Sequence, residues 1–295
     1  MRRVFFFKGH GLGNDYIAMD EARVLFSLTP PAVRMLCDRH TGLGSDGILL
    51  HIPSKRAAFG VRIFNPDGSE AEKSGNGLRI FAAYLWDRDL VRMREPFAVE
   101  TLGGIVTLVL HTRSAEGVLD VEAEMGTALF DSASVGLAGP DREVAGEALE
   151  LEAGDRVTIH AVSLGNPHCV IFEDELEPEM LRRRASQIAT HPSFTRGTNV
   201  QFARVLGPAT LETWVWERGA GETLASGSSA CAVAAAAVRS GLVRERAVEV
   251  RMPGGSLSVT VREDWSVLLR GPVEGVYRGE LTEGMLRRLE EVAWP

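Results

Sequence analysis

Two serines, Ser74 and Ser226, each stand just before a run that reads as a helix, and they are 152 residues apart. A serine is a good N-cap, because its hydroxyl can accept from the first unpaired N–H groups of the helix. The same N–H groups and the helix dipole favour an anion such as a carboxylate. A carboxylate held there brings its α-carbon close to the capping side chain. If two such half-sites face each other across that carbon, one group can remove the α-proton while the other delivers a proton to the opposite face. That is the geometry of two-base racemisation.

The serine spacing belongs to a longer internal repeat. FNPDGSEAEKSGNG (64–77) falls on WERGAGETLASGSS (216–229) at the same offset of 152. Glu70 meets Glu222, Ser74 meets Ser226 and Gly75 meets Gly227. Gly13-Asn14 meets Gly165-Asn166 upstream, and Ala82-Ala83 meets Ala234-Ala235 downstream. After a one-residue slip, Gly103-Gly104 meets Gly254-Gly255. Matched Glu, Asn and Ser in one order point to a duplication.

The elements that must carry these residues also come in pairs. Residues 75–89 and 227–240 lack proline and are rich in helix formers, the second with a buried-looking alanine run ended by Gly241. Short β-branched runs flank each helix, VRIF (61–64) in one half and TWVW (213–216) in the other. The expected fold is α+β: two pseudo-symmetric domains from an internal duplication, each a curved mixed sheet or barrel around a central helix, with the active site in the cleft between them. The polar stretch HTRSAEG (111–117) sets the expected boundary, giving domains 1–116 and 117–272. The last helix, LTEGMLRRLEEVAW (281–294), follows GPVEGVY, and its return to the first domain with residues 273–295 is what the family resemblance below implies.

Composition narrows the partners. The 295 residues are 45% hydrophobic and 24% charged, which reads as a soluble, globular chain of about two domains. A formal net charge of −8 argues against nucleic acid or an anionic membrane as partner. Arg2 and Arg3 precede an apolar run, Val4 to Phe7, that is too short for a secretion signal. No stretch approaches the ~18 apolar residues of a membrane span. Cys37, Cys169 and Cys231 form neither a CxxC nor a Cys/His cluster, so no metal site is expected. A sparse, odd set of cysteines fits a reducing compartment, and the cytoplasm is the expected location.

Two glycine-rich loops suggest phosphate binding at first sight. GLGSDG (42–47) fits GxGxxG, but a helix-like stretch precedes it and a strand-like one follows, the reverse of a dinucleotide site. KGHGLGND (8–15) lacks the Lys-Ser/Thr of a P-loop. Gly47, in SDGIL, removes a side chain, so specificity for a ligand's distal end can differ from that of a relative that has one there.

HGLGNDY (10–16), FNPDGSEAEKSGNG (64–77), GNPHCV (165–170), GTNVQF (197–202) and ERGAGETLASGSSACA (217–232) together resemble the diaminopimelate epimerase family. The resemblance implies interconversion of LL- and meso-diaminopimelate, without pyridoxal phosphate or metal and with no cofactor at all. It implies substrate contacts from Asn14, Asn65, Asn166, Asn199, Glu217 and Arg218. It implies that amides at Gly75, Asn76, Gly227 and Ser228 hold the reacting carboxylate, that His168 and Glu217 assist the acid/base pair, and that a homodimer is plausible. Read alone, the residues are plainer: Asn14, Asn65 and Asn166 suit turns, His168 a hydrogen-bonded core, and Glu217 with Arg218 a surface ion pair.

At the positions of Ser74 and Ser226 the family has cysteines. A serine hydroxyl is roughly five units less acidic than a thiol, which at about 1.36 kcal/mol per unit is roughly 7 kcal/mol. Cys169 and Cys231 lie within the motifs but away from the two positions. Three accounts are open at this level: an epimerase with both cysteines changed to serine and thereby inactive, a relative that isomerises another substrate, and a non-catalytic amino-acid-binding protein on the same scaffold.

Overall fold

The computed structural model describes residues 3–293; Arg2, and Trp294 of the expected last helix, lie outside them. The chain forms two compact units, Met1–Ala123 with Gly271–Pro295, and Glu124–Arg270.

The first unit contains β1 (Phe5–Gly11), β2 (Asn14–Asp20), α1 (Pro30–Cys37), β3 (Ile48–Ile52), β4 (Phe59–Phe64), β5 (Glu70–Ala71), α2 (Gly75–Asp87), β6 (Phe97–Thr101), β7 (Gly104–Arg113) and the start of β8 (Leu119–Thr127). The second holds α3 (Ser132–Val135), β9 (Ala145–Glu150), β10 (Arg156–Ser163), β11 (Pro167–Phe172), α4 (Pro178–Ala189), β12 (Asn199–Gly207), β13 (Thr210–Glu217), β14 (Gly221–Thr223), α5 (Gly227–Arg239), β15 (Ala247–Met252) and β16 (Gly255–Val261). The long β17 (Ser266–Glu280) leads back to α6 (Glu283–Ala293) in the first unit.

In the first unit the strands pair in the circuit β1-β2-β3-β4-β6-β7-β8-β17, and β17 pairs with β1, so eight strands close a barrel. Closure leaves none of the eight as a free edge. The β2–β3 and β4–β6 pairs are parallel, and β1–β17, β1–β2, β3–β4, β6–β7 and β7–β8 are antiparallel. Gly75 to Leu85 of α2 are all buried, as expected of a helix enclosed by strands. A further apolar layer lies outside, where Ile17 and Met19 of β2 pack with Leu36 of α1 and with Leu286 and Leu289 of α6. β2 is buried along both faces for this reason.

The second unit repeats the order through β10-β11-β12-β13-β15-β16-β17, with α5 in the place of α2. Even the registers repeat. Ile17 pairs with Ile48, and adding 152 to each gives the observed Cys169–Val200 pair. Ile48–Phe64 becomes Val200–Trp216 in the same way. Past the helix the offset drops by one, since Phe97–Leu108 corresponds to Val248–Val259 at 151. The slip read at the paired glycines is therefore one residue fewer in the chain between helix and strand, and the pairing of the strands is kept.

The stretch 111–117 is not a crossing between units. It ends β7 and forms the turn to β8, closed by Ser114 N–H donating to the Val118 carbonyl at 2.8 Å. The chain instead leaves the first unit at 123/124, within β8, and returns at 270/271, within β17. Long strands explain the difference: a strand that continues through a boundary gives no polar break to read.

Candidate active site

Ser74 is the N-cap of α2, with extended backbone (φ −139°, ψ 118°), and its side chain accepts from the Gly77 N–H at 3.0 Å. A residue larger than glycine at 77 would crowd this cap, because its Cβ would come 3.2 Å from Ser74 Oγ. Tyr16 of β2 places its hydroxyl 3.3 Å from the same Ser74 Oγ. Gly47 permits that placement: a Cβ there would lie 2.6 Å from Tyr16 Cε1 and 2.5 Å from the Phe64 carbonyl oxygen. Its missing side chain makes room for the packing of Tyr16.

Around Ser74 the polar side chains form a connected chain. Asn14 Nδ2 donates to Asp46 Oδ2 at 2.9 Å, and Asn14 Oδ1 accepts from Asn76 Nδ2 at 3.1 Å. Asn76 Oδ1 accepts from Arg79 Nη2 at 2.7 Å, and Arg79 Nη1 reaches the Gly75 carbonyl at 3.2 Å. Arg79 is completely buried. On the other side Asp46 and Asp15 share Arg39, each at 2.7 Å, and Lys8 lies 2.8 Å from Asp15. Burial raises the pKa of Asp15, but hydrogen bonds from Arg39 and Lys8 outweigh it and hold the carboxyl below its ordinary value. Asn65 stands apart. Its amide donates to Ser69 Oγ at 2.9 Å, and its backbone closes the 65–69 turn.

In the second unit Ser226 caps α5 with nearly the same backbone (φ −144°, ψ 123°), and it is buried. It makes no side-chain cap bond. His168, the counterpart of Tyr16, places Nε2 3.0 Å from Asn166 Oδ1. Asn166 Nδ2 reaches Ser228 Oγ at 3.5 Å, the long limit of such a bond. Burial is complete at His168 and drives its pKa down to about 3; Gln201 beside it acts in the opposite sense, and the charge of Arg218 adds to the lowering. His168 is thus a neutral imidazole that orients Asn166.

Asn199 ties the start of β11 to the turn after β13. Its Nδ2 donates to the Pro167 carbonyl at 2.9 Å, and its Oδ1 accepts from the Arg218 backbone N–H at 2.9 Å. Arg218 extends to the Arg196 carbonyl at 2.8 Å. Glu217 ends β13, paired with Gly221 of β14. Gly75 and Gly227 are the buried first residues of their helices.

The structure therefore brings together Asn14, Ser74, Gly75 and Asn76 in one unit. In the other it groups Asn166, His168 and Ser228 near the start of α5, and Asn199 with Arg218. Sequence reasoning missed Tyr16, Asp46 and Arg79. Tyr16 was within reach, because adding 152 to 16 gives the named His168.

The GLGSDG loop does not cradle a phosphate. It follows α1 and leads into β3, and the N–H groups of Leu43, Gly44 and Ser45 donate to carbonyls of Leu36 and Cys37. Among the described residues no group of three or more His, Cys, Asp or Glu side chains is placed to hold a metal ion.

The family model described as diaminopimelate epimerase matches residues 6–130 and 160–276. The chain belongs to the diaminopimelate epimerase family. Diaminopimelate epimerase 2 of Nostoc sp. (strain PCC 7120 / SAG 25.82 / UTEX 2576) is 45% identical over 278 residues, covering 94% of this chain and 95% of that protein. Diaminopimelate epimerase of Pelotomaculum thermopropionicum is 42% identical over 277 residues, covering 93% and 98%. Among solved structures, a hydroxyproline epimerase from Agrobacterium vitis with bound trans-4-hydroxy-L-proline superposes with a TM-score of 0.70 at 16% identity, covering 95% of this chain and 92% of that one. A methylitaconate-delta-isomerase superposes at 0.64 with 13% identity, covering 96% and 97%. At such identities the likeness speaks for the duplicated fold alone, and chemistry must be argued from the site.

Proposed function

We propose that this chain is an amino-acid isomerase of the diaminopimelate epimerase type, with Ser74 and Ser226 at its two acid/base positions. The observation that carries the proposal is the matched setting of these serines. Each is an extended N-cap of the central helix of its unit, each followed by a buried glycine. The N–H groups and dipole of a helix start suit a carboxylate. The substrate is LL- or meso-diaminopimelate, and the step is removal of the α-proton by one residue with delivery by the other to the opposite face. Asn14, Asn65, Asn166, Asn199, Glu217 and Arg218 contact substrate in this reading, with amides at Gly75, Asn76, Gly227 and Ser228 on the reacting carboxylate. His168 acts by holding Asn166, and Glu217 assists the acid/base pair.

The serine pair sets the rate. Two hydroxyls must each do the work of a thiol that is roughly five units more acidic. The chain therefore binds diaminopimelate but exchanges its α-proton far more slowly than the Ser74→Cys/Ser226→Cys protein. Incubation with LL-diaminopimelate in D2O, followed by NMR, tests this: exchange should be gained in the double variant. A folded double variant with no gain defeats the proposal.

One observation favours a second reading, an amino-acid-binding protein without turnover. Ser74 Oγ is engaged as a helix cap on Gly77 N–H instead of being reserved as a base. That reading requires saturable binding with no exchange in either form. Lysine and cell-wall precursor synthesis, a cytoplasmic location and a homodimer belong to the main proposal. Three buried cysteines outside any disulfide support a reducing compartment. Exposed Phe5, Val276 and Tyr277 on the adjacent strands β1 and β17 support a dimer contact.

A further inference from the structure

The two half-sites differ in one respect that their shared ancestry does not predict. In the first unit, the asparagine pair is strung between two ionisable groups of fixed polarity. Arg79 can only donate, so Asn76 must turn its carbonyl oxygen toward Arg79 Nη2, at 2.7 Å. Asn76 then has its amino group toward Asn14 Oδ1, at 3.1 Å. Asn14 is left with its amino group toward Asp46 Oδ2, at 2.9 Å, and an ionised carboxylate only accepts. Asp46 is in turn tied to Arg39 at 2.7 Å, so its carboxylate is held between a guanidinium and the Asn14 amide. Neither amide can flip without setting donor against donor or acceptor against acceptor.

The second unit lacks both ends. Adding 152 to Asp46 gives Thr198, and adding 152 to Arg79 gives Cys231, both buried. There Asn166 lies between a neutral imidazole, whose two nitrogens exchange roles with tautomer, and the rotatable hydroxyl of Ser228.

Resting on the reading of the α2 N-terminus as a carboxylate site, we propose that Asp46 and Arg79 are positioning residues that lock Asn14 and Asn76 in one orientation. The first half-site then offers a permanent donor, the remaining Nδ2 hydrogen of Asn14, to an anionic group of an amino-acid substrate. The second half-site keeps an amide that can reverse, and it is the half that accommodates a substrate group presenting either donor or acceptor. Arg79 also lies where the chain has left space for it: a Cβ at Gly11 would come 3.1 Å from Arg79 Nη2.

The test uses the full chain with asparagine-selective 15N labelling. Asp46→Asn, isosteric and at a partly exposed position, removes the fixed acceptor; Arg79→Met removes the fixed donor. The lock requires each change to move the side-chain NH2 resonances of both Asn14 and Asn76, including the asparagine it does not touch. Shifts confined to the adjacent asparagine overturn it. If Arg79→Met does not fold, Arg79→Lys serves, with the opposite expectation: a donor is retained and the Asn14 resonances stay in place. Calorimetric titration with LL-diaminopimelate reads the consequence, a Kd raised about tenfold in Asp46→Asn, as expected for losing one oriented donor to a charged group. A Kd within about twofold of the parent overturns the positioning role. A parent chain that does not bind diaminopimelate at all defeats the functional reading instead, and the resonance pattern still decides the lock.

Discussion

The Tyr16 hydroxyl lies 3.3 Å from Ser74 Oγ, whereas its counterpart His168 directs Nε2 to Asn166 and not to Ser226. The same strand position thus reaches the capping residue directly in one unit, whereas in the other it leads through an asparagine to Ser228, two residues past the cap. With a thiol at 74, a Tyr16 O–H donor would stabilise the thiolate. Tyr16→Phe in a Ser74→Cys background should therefore raise the thiol pKa, by about one unit, the scale of one hydrogen bond. Iodoacetamide alkylation against pH measures it cleanly, because Cys37, Cys169 and Cys231 are all buried. An unchanged profile would mean that the tyrosine only packs.

Gly47→Ala should act on the same contact from behind. The added Cβ would meet the Phe64 carbonyl at 2.5 Å and the Tyr16 ring at 2.6 Å, and the carbonyl belongs to a paired strand that cannot easily yield. Overpacking of this kind costs about 1–3 kcal/mol. Urea unfolding should show that loss, together with the same displaced alkylation profile as Tyr16→Phe. Full stability would show that the β3 start relaxes.

The two caps should respond unequally to alanine. Ser74 accepts from Gly77 N–H, so Ser74→Ala removes a cap bond and should cost about 1 kcal/mol. Ser226 makes no such bond, and Ser226→Ala should cost clearly less. Thermal unfolding of the two single variants decides, and equal losses would mean that the α5 cap forms in solution.

How much of this could be read beforehand depends on the kind of contact. The duplication was legible because it preserves residue identity at helix starts, where glycine and serine have conformational reasons to persist. Both central helices begin at the expected residues, and even the one-residue slip between 152 and 151 reappears in the pairing of β6–β7 and β15–β16. The unit boundaries leave no polar break in the sequence, since β8 and β17 run through them. Tyr16 was hidden because an aromatic in a strand usually means core. Arg79 did leave a signal: a lone arginine inside GLRIFAAYL, on a helix otherwise fit for complete burial, requires fixed acceptors. Asn65 illustrates the opposite case, since its neighbours Pro66 and Gly68 already spelled the turn it makes.

Asn199→Asp should be as harmful as Asn199→Ala. The asparagine amide donates to the Pro167 carbonyl and its oxygen accepts from Arg218 N–H. Alanine abandons both partners in a buried place, at about 1–3 kcal/mol for each group left unpaired. Aspartate keeps the Arg218 bond but sets a carboxylate oxygen against the Pro167 carbonyl oxygen. Melting temperature should fall in both variants, and affinity for diaminopimelate should fall with it as the 217–221 turn loosens. An aspartate variant as stable as the parent would show that the Pro167 contact is dispensable.

His168 should make stability depend on pH in a definite window. Its folded pKa is lowered by burial to about 3, against about 6.5 for an unfolded histidine. Below about 6.5 the unfolded chain binds a proton that the folded chain refuses, so stability falls as pH falls, until the folded imidazole itself titrates near 3. His51 and His160 are lowered by burial as well and slope the same way, so the informative quantity is a difference. His168→Gln should flatten the slope of unfolding free energy between pH 6 and pH 4 by about 1.4 kcal/mol per pH unit, the effect of one proton. Urea unfolding at pH 4, 5, 6 and 7 measures both proteins. Parallel curves would mean that His168 takes its proton in the folded state, with Nε2–H donating to the Asn166 oxygen it already faces.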